Sequence, residues 1–245
     1  MSIKNLNKNL EEIDFSNMLS FYAPNRFGHC GTSDEISLQR LWSAYMQGIF
    51  PWFCEERGER VTWHSPDPRF CILMNEFHVP KRVERFLKKS PFRYTMDSDF
   101  AAVIRGCRKM NRDGQSGTWI GDKMESAYIR FFEAGFAHSV EAWHGNTLAG
   151  GFYGVLIGSV FFGESMFTIE PESSKSAFVL FAKAFGECGG KIIDSQVYTD
   201  NIARFGAKNI MRDEFLFLEK PCLSLPLFNN LSDVFARSVS DFPKI

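Results

Sequence analysis

The sequence predicts an α+β protein, with a soft boundary where the periodicity switches, near residues 95–135. Three observations carry this. Apolar residues recur at helical spacing up to about Gly135, short β-branched and aromatic runs separated by turn signals then take over, and a long helical pattern returns after Ser173. The 245 residues are 44% hydrophobic and 15% aromatic, with 26 Phe, which suffices for a large core and argues against wholesale disorder. Lys and Arg number 28 against 29 Asp and Glu, a net charge of −1 that excludes an overall basic binder, so any polyanion must meet a local patch.

Residues 1 to about 30 are mixed and polar and predict no definite element. Ser33 or Asp34 can cap a helix whose apolar positions are Ile36, Leu38, Leu41, Trp42 and Tyr45, ended by Gly48 and Pro51. GIFPWF then reads as an exposed aromatic turn, and TWHSPDPRF as an extended course enforced by Pro66 and Pro68. Over residues 80–93, PKRVERFLKKSPFR reads as an amphipathic basic helix, with Val83, Phe86 and Leu87 on the apolar side. A further helix over about 97–110 adds Arg105, Arg108 and Lys109. A loop delivers Trp119, and MESAYIRFFEAGF reads as a helix ending at Gly135.

HSVEAW, TLAGGFYGVLIG and SVFFGESMF follow as antiparallel strands, with turns at Gly145-Asn146 and Gly158. Ser173 or Ser174 can cap the next helix, which buries Phe178, Phe181, Ala182 and Phe185 and stops at Gly189-Gly190. KIIDSQVY reads as a strand and TDNIARFGA as a short helix. The N-terminus lacks a signal-peptide pattern and no run is long and apolar enough for a membrane helix, so the expectation is a cytoplasmic protein with its six cysteines reduced. The cysteines hold no Cys-x-x-Cys spacing, so neither a zinc knuckle nor any other metal is expected.

Three features point to chemistry. Asp194 and Gln196 alternate on one face of an otherwise apolar strand, and Glu164 interrupts the aromatic run FFGESMF. A buried carboxylate is costly without partners, so either Asp194 caps the next turn, Gln196 satisfies a core amide and Glu164 forms a salt bridge with a buried base, or the acids share a polar floor in an apolar pocket. Lys81, Arg82, Arg85, Lys88, Lys89 and Arg93 against Glu84 form a concentrated positive field. It is either a solvated helix face or a phosphate-binding ridge. Trp52, Phe53, Trp63 and Trp119 sit in loops, where they either lid a core or stack on a nucleobase. His64, His138 and His144 lack metal or triad spacing, and no Gly-x-Gly-x-x-Gly, Walker, His-Glu-x-x-His or Gly-x-Ser-x-Gly string is present.

Taken in order, AYMQGIFPWF, WHSPDPR, GTWI, AHSVEAW, FFGESMF, SSK and IIDSQ resemble the bacterial leucyl/phenylalanyl-tRNA–protein transferases, over about Ser33 to Phe217. The resemblance implies a small N-terminal domain, residues 1–95, joined to a C-terminal domain, 96–245, of the acyltransferase type, related to acetyl-CoA-dependent N-acetyltransferases. It implies transfer of Leu or Phe, with Met as a further candidate, from aminoacyl-tRNA to the α-amino group of proteins beginning with Lys or Arg, marking them for degradation. It further implies Asp194, Gln196 and Glu164 as catalytic, Phe152, Met166, Phe181 and Ile193 as the aminoacyl pocket, and Trp52 and Trp119 near the terminal adenosine. Lys81, Arg82, Arg85, Lys88 and Lys89 would meet the tRNA acceptor stem. An aminoacyl ester is already activated, so a monomer without cofactor or metal suffices. Three departures stand out: Ser195 where the family usually has Cys, His64 where it usually has Trp, and HCGTSDEI before the first helix. The rivals are an acetyl-CoA-type N-acetyltransferase, disfavoured because Phe167 to Phe185 contains no glycine for a pyrophosphate turn, and a non-catalytic tRNA-binding module.

Overall fold

The structure, a computed structural model, describes residues 9–54, 60–110 and 120–240. Two sheets organise it. A small antiparallel sheet has the order β1 (His29–Ser33), β3 (Val61–His64), β2 (Phe50–Cys54), backed by α1 (Leu38–Tyr45). The larger sheet holds β4 (Arg69–Leu73), β5 (Arg93–Met96), β6 (Ala137–His144), β7 (Thr147–Ile157), β8 (Val160–Thr168), β9 (Ile192–Asp194) and β10 (Lys208–Ile210), in the order β10-β4-β9-β8-β7-β6-β5. All its neighbours are antiparallel except β8 and β9. The 95/96 boundary expected from the sequence falls inside β5. Both β4 and β5 are hydrogen-bonded into the large sheet, and the division between sheets lies at residues 65–68.

Alternation along the large sheet separates two cores. Tyr153, Val155, Phe162 and Ile192 face α1, α3 (Phe100–Lys109) and α4 (Asp122–Glu133). Phe152, Phe161 and Ile193 face α5 (Ser173–Glu187), α2 (Lys81–Leu87) and α8 (Leu231–Ser240). The remaining helices are α6 (Asp200–Ala203) and α7 (Arg212–Leu223).

Several expectations are corrected. GIFPWF is no exposed turn: Pro51 and Trp52 lie on β2, paired antiparallel with β3, and Phe50 is buried in the core. Trp63 is buried on β3 and donates to Ser33 Oγ at 2.9 Å, a core role. The basic helix stops at Leu87 with Lys88 as its cap, since Pro91 restricts Ser90 and cannot continue the helix, and Arg93 lies on β5. Ser37, rather than Ser33 or Asp34, caps α1 by accepting from Arg40 N–H. Glu172 occupies the N-cap position of α5 with φ 67°, and Ser173 already lies inside the helix. The strand KIIDSQVY ends at Asp194. Gln196 is in the left-handed region at φ 65°, so the two residues do not alternate on one strand. No helix of the described residues is long and apolar enough to cross a membrane.

Candidate active site

The site arises where two strands part. β8 pairs with β9 through Val160–Ile192, Phe161–Ile193 and Phe162–Asp194. Beyond that point the chain after Asp194 stays with β4, Ser195 N–H donating to Phe70 O at 2.9 Å and Phe70 N–H to Gln196 O at 3.1 Å. The far half of β8 therefore has no neighbour on that side. A cleft of about 590 Å³ opens in the gap, within the range of small-molecule sites, and Trp52, Phe152, Glu164, Met166, Ile193 and Gln196 are among its walls.

Glu164 owes its aim to an irregularity in the sheet. Tyr153 pairs with Ser165 but Gly154 pairs with Gly163, so Glu164 is the extra residue of a bulge on β8. Bulges redirect side chains, and this one turns the carboxyl toward the helical layer of α1 and α4. There Tyr45 OH donates to Oε1 at 2.8 Å, Tyr128 OH to Oε2 at 2.7 Å, and Gln196 Nε2 to Oε1 at 2.7 Å. The two tyrosine oxygens lie 2.5 Å apart. Burial outweighs these three donors and pushes Glu164 from 4.5 up to about 7, and the Asp194 charge adds to the rise. Burial likewise holds both tyrosines well above their ordinary value, so they remain donors.

Asp194 is fully buried and takes a forked ion pair from Arg69, Nε to Oδ1 at 2.9 Å and Nη2 to Oδ2 at 2.6 Å. Its Oδ1 also accepts from Gln196 N–H at 2.9 Å. The turn-cap alternative thus holds for Asp194, which also has the buried base expected for Glu164, whereas Glu164 has tyrosines and Gln196 in its place. Nearby Cys71 is no nucleophile, since burial pushes its thiol up to about 12.

The other sequence-derived residues divide. Phe152, Met166, Ile193 and Trp52 line the cleft. Phe181 lies one layer behind, fully buried, its ring 5.4 Å from Phe152 and 4.5 Å from Phe161. Trp119 lies outside the described residues. Lys81, Arg82, Arg85, Lys88 and Lys89 are all exposed. Arg82 reaches Glu172, the residue before α5, at 3.6 Å. His64 sits behind Trp52 at 5.3 Å between ring centres, whereas His138 and His144 pair with Asp97 and Glu170 away from it.

Arg69, Tyr45 and Tyr128 were not singled out by sequence reasoning. Arg69 did leave a signal, a lone charge opening the apolar strand RFCIL. The tyrosines left none, because a core tyrosine and a hydrogen-bonding one occupy the same apolar positions of a helix.

The comparisons with known proteins agree with this geometry. Residues 71–220 match the family model for leucyl/phenylalanyl-tRNA protein transferase, and residues 34–67 match the model for that family's N-terminal domain. A leucyl/phenylalanyl-tRNA--protein transferase of Myxococcus xanthus (strain DK1622) is 44% identical over 78% of this chain and 81% of its own length. One from Anaeromyxobacter sp. (strain K) is 44% identical over 80% and 85%, and one from Lawsonia intracellularis (strain PHE/MN1-00) is 46% identical over 74% and 79%. With residues 71–220 and 34–67 matched and relatives about 44% identical over most of both chains, the chain belongs to the leucyl/phenylalanyl-tRNA protein transferase family.

Proposed function

We propose that this chain takes Leu or Phe, with Met as a further candidate, from aminoacyl-tRNA and transfers it to the α-amino group of proteins that begin with Lys or Arg. The chain is an aminoacyltransferase. One observation carries the finer reading: an apolar wall of Phe152, Met166 and Ile193 and the acid–amide pair of Glu164 and Gln196 share a single cleft.

In this reading Phe152, Met166 and Ile193 enclose the aminoacyl side chain, and Phe181 backs them from behind. Trp52 stacks on the terminal adenosine, and Trp119 belongs to the same proposal. Lys81, Arg82, Arg85, Lys88 and Lys89 neutralise acceptor-stem phosphates without reading sequence. The acceptor amine attacks the ester carbonyl carbon, the C–N bond forms, and the bond to the ribose oxygen breaks. The amine must first lose a proton. A carboxyl near neutrality is suited to take it and return it to the leaving oxygen, which fits Glu164. Gln196, tied to Glu164 through Nε2, holds the amine by its amide oxygen, and Asp194 orients Gln196. Orientation supplies much of the rate, since the ester needs no further activation. One chain contains every named group, consistent with a monomer acting in the cytoplasm, where charged tRNA is found.

The divergence of β8 and β9 is also what supports a relation to acyltransferase folds that bind substrate between splayed strands. Against the acetyl-CoA reading, the turn from β8 to α5 holds Glu170 and Glu172 and no glycine, a poor setting for a pyrophosphate.

The test is radiolabelled Leu-tRNA incubated with peptides that differ only in their first residue. Labelling of Lys and Arg peptides but not of others is expected. Labelling of Asp or Glu peptides would revise the acceptor class, and no labelling of any peptide would end the proposal.

A further inference from the structure

Arg69 is the most constrained charge in the molecule outside the groups already given roles. Its guanidinium is fully buried. Two of its nitrogens grip both oxygens of Asp194, and Nη1 donates to Gly48 O at 3.0 Å. Its faces are covered by Phe50 at 4.9 Å and Phe215 at 4.7 Å. These three hydrogen bonds go to two places: the turn before β2, and the carboxylate that ends β9.

Both places adjoin the cleft, which Phe50, Trp52, Asp194 and Gln196 line. Gly48 and Phe50 lead into Trp52, and Asp194 leads into Gln196. Gln196 sits at φ 65°, a conformation that costs an L residue energy and persists only when its surroundings impose it. What imposes it is local: its N–H is held by Asp194 Oδ1, its carbonyl by Phe70 N–H, and Asp194 by the Arg69 fork. Burial raises the carboxyl of Glu219, near the same guanidinium, well above its ordinary value, and it is Asp194 that makes the forked pair with Arg69.

We infer that Arg69 is a positioning residue for aminoacyl transfer, acting through Asp194 to hold Gln196 against Glu164 and through Gly48 to keep the Trp52 wall at a set distance from that pair. It touches no substrate. The inference rests on the aminoacyl-transfer reading, and it assigns Asp194 to orientation, with both oxygens already engaged. A lysine at the same place keeps the charge but has no planar fork, so it can satisfy only part of this geometry.

The experiment compares wild type, Arg69→Lys, Asp194→Asn and the double variant in transfer from Leu-tRNA to a Lys-initiated peptide. Folding is monitored by near-ultraviolet circular dichroism. A misplaced catalytic group can cost on the order of 100-fold, so Arg69→Lys is expected to lower kcat by about 10- to 100-fold and to change KM for charged tRNA by less than about threefold. The double variant is expected to be no slower than the slower single one, since both act on the same link. Should Arg69→Lys not fold, Phe215→Leu uncovers one face of the guanidinium far from substrate, and a severalfold loss in kcat at unchanged KM is expected. Additive losses, a KM rise matching the fall in kcat/KM, or wild-type kinetics in the folded variant would overturn the inference. If wild type itself transfers nothing, the failure belongs to the transfer reading.

Discussion

Gln196 reaches Glu164, Nε2 to Oε1 at 2.7 Å, although 32 residues separate them and neither stands on a regular part of its strand. One is the extra residue of a bulge and the other a left-handed residue just past a strand end. Two local departures from sheet geometry therefore create the contact, and they lie on the two strands that part to form the cleft.

Burial of Glu164 makes stability depend on pH. The folded chain keeps a proton up to about 7 that the unfolded chain releases near 4.5, so stability falls as pH rises through that window. At about 1.4 kcal/mol per tenfold change in proton affinity, the loss is roughly 3 kcal/mol. Glu164→Gln should remove it. Urea unfolding of both proteins at pH 4.5 and 8 checks this, and a difference between them that does not change with pH would refute the assignment. The same variant should lower kcat by about 100-fold, the usual scale of a lost proton acceptor.

The cationic ridge should act through charge alone. Lys81, Arg85 and Lys88 are exposed, whereas Arg82 is partly engaged by Glu172. Replacing the three with Ala should weaken charged-tRNA binding and reduce the slope of log K against log salt by about 2 to 3. Filter binding at several salt concentrations measures it, and an unchanged slope removes the ridge from the RNA interface.

Pocket wall and pocket backing should separate. Met166→Ala enlarges the cleft directly and should alter the Phe-to-Leu ratio by severalfold, at a stability cost below that of a full core deletion. Phe181→Ala empties a site packed against Phe152, Phe161 and Phe185 and should cost about 3 to 5 kcal/mol. Competition between the two charged tRNAs, alongside thermal melts, tells wall from backing. Equal selectivity changes in the two variants would show that Phe181 shapes the pocket as strongly as Met166 does.

His64 adds an acid-side dependence. Burial, then the neighbouring His29, lowers it from 6.5 to about 4, so it is neutral in the folded chain while the unfolded chain takes up a proton. Its contribution is present above 6.5 and is lost as pH falls toward 4. His64→Phe should flatten that decline in a melting series from pH 7 to 4, and an unaltered series would place the acid sensitivity elsewhere.

The sequence alone determined which residues are anomalous and which faces are apolar. An acid in an aromatic run, an acid and an amide after Ile192-Ile193, and a cluster of cations near one proline stand out because burying charge is costly and periodicity assigns faces. The β6-β7-β8 meander and helices α3, α4 and α5 are legible for the same reason. The end of the basic helix at Leu87 escapes that reading, because the run of cations carries the helix to Arg93 through Pro91, although that proline disfavours helix at Ser90.

Tertiary structure alone decided what those anomalies meet. A bulge is a property of two paired strands, so the aim of Glu164 toward Tyr45 and Tyr128 depends on β7 as much as on β8. The forked pair of Arg69 and Asp194, 125 residues apart, depends on β4 lying beside β9, an order set by packing of the whole sheet. Local pattern reports the cost of a buried charge, and only the folded chain supplies the partner that offsets it.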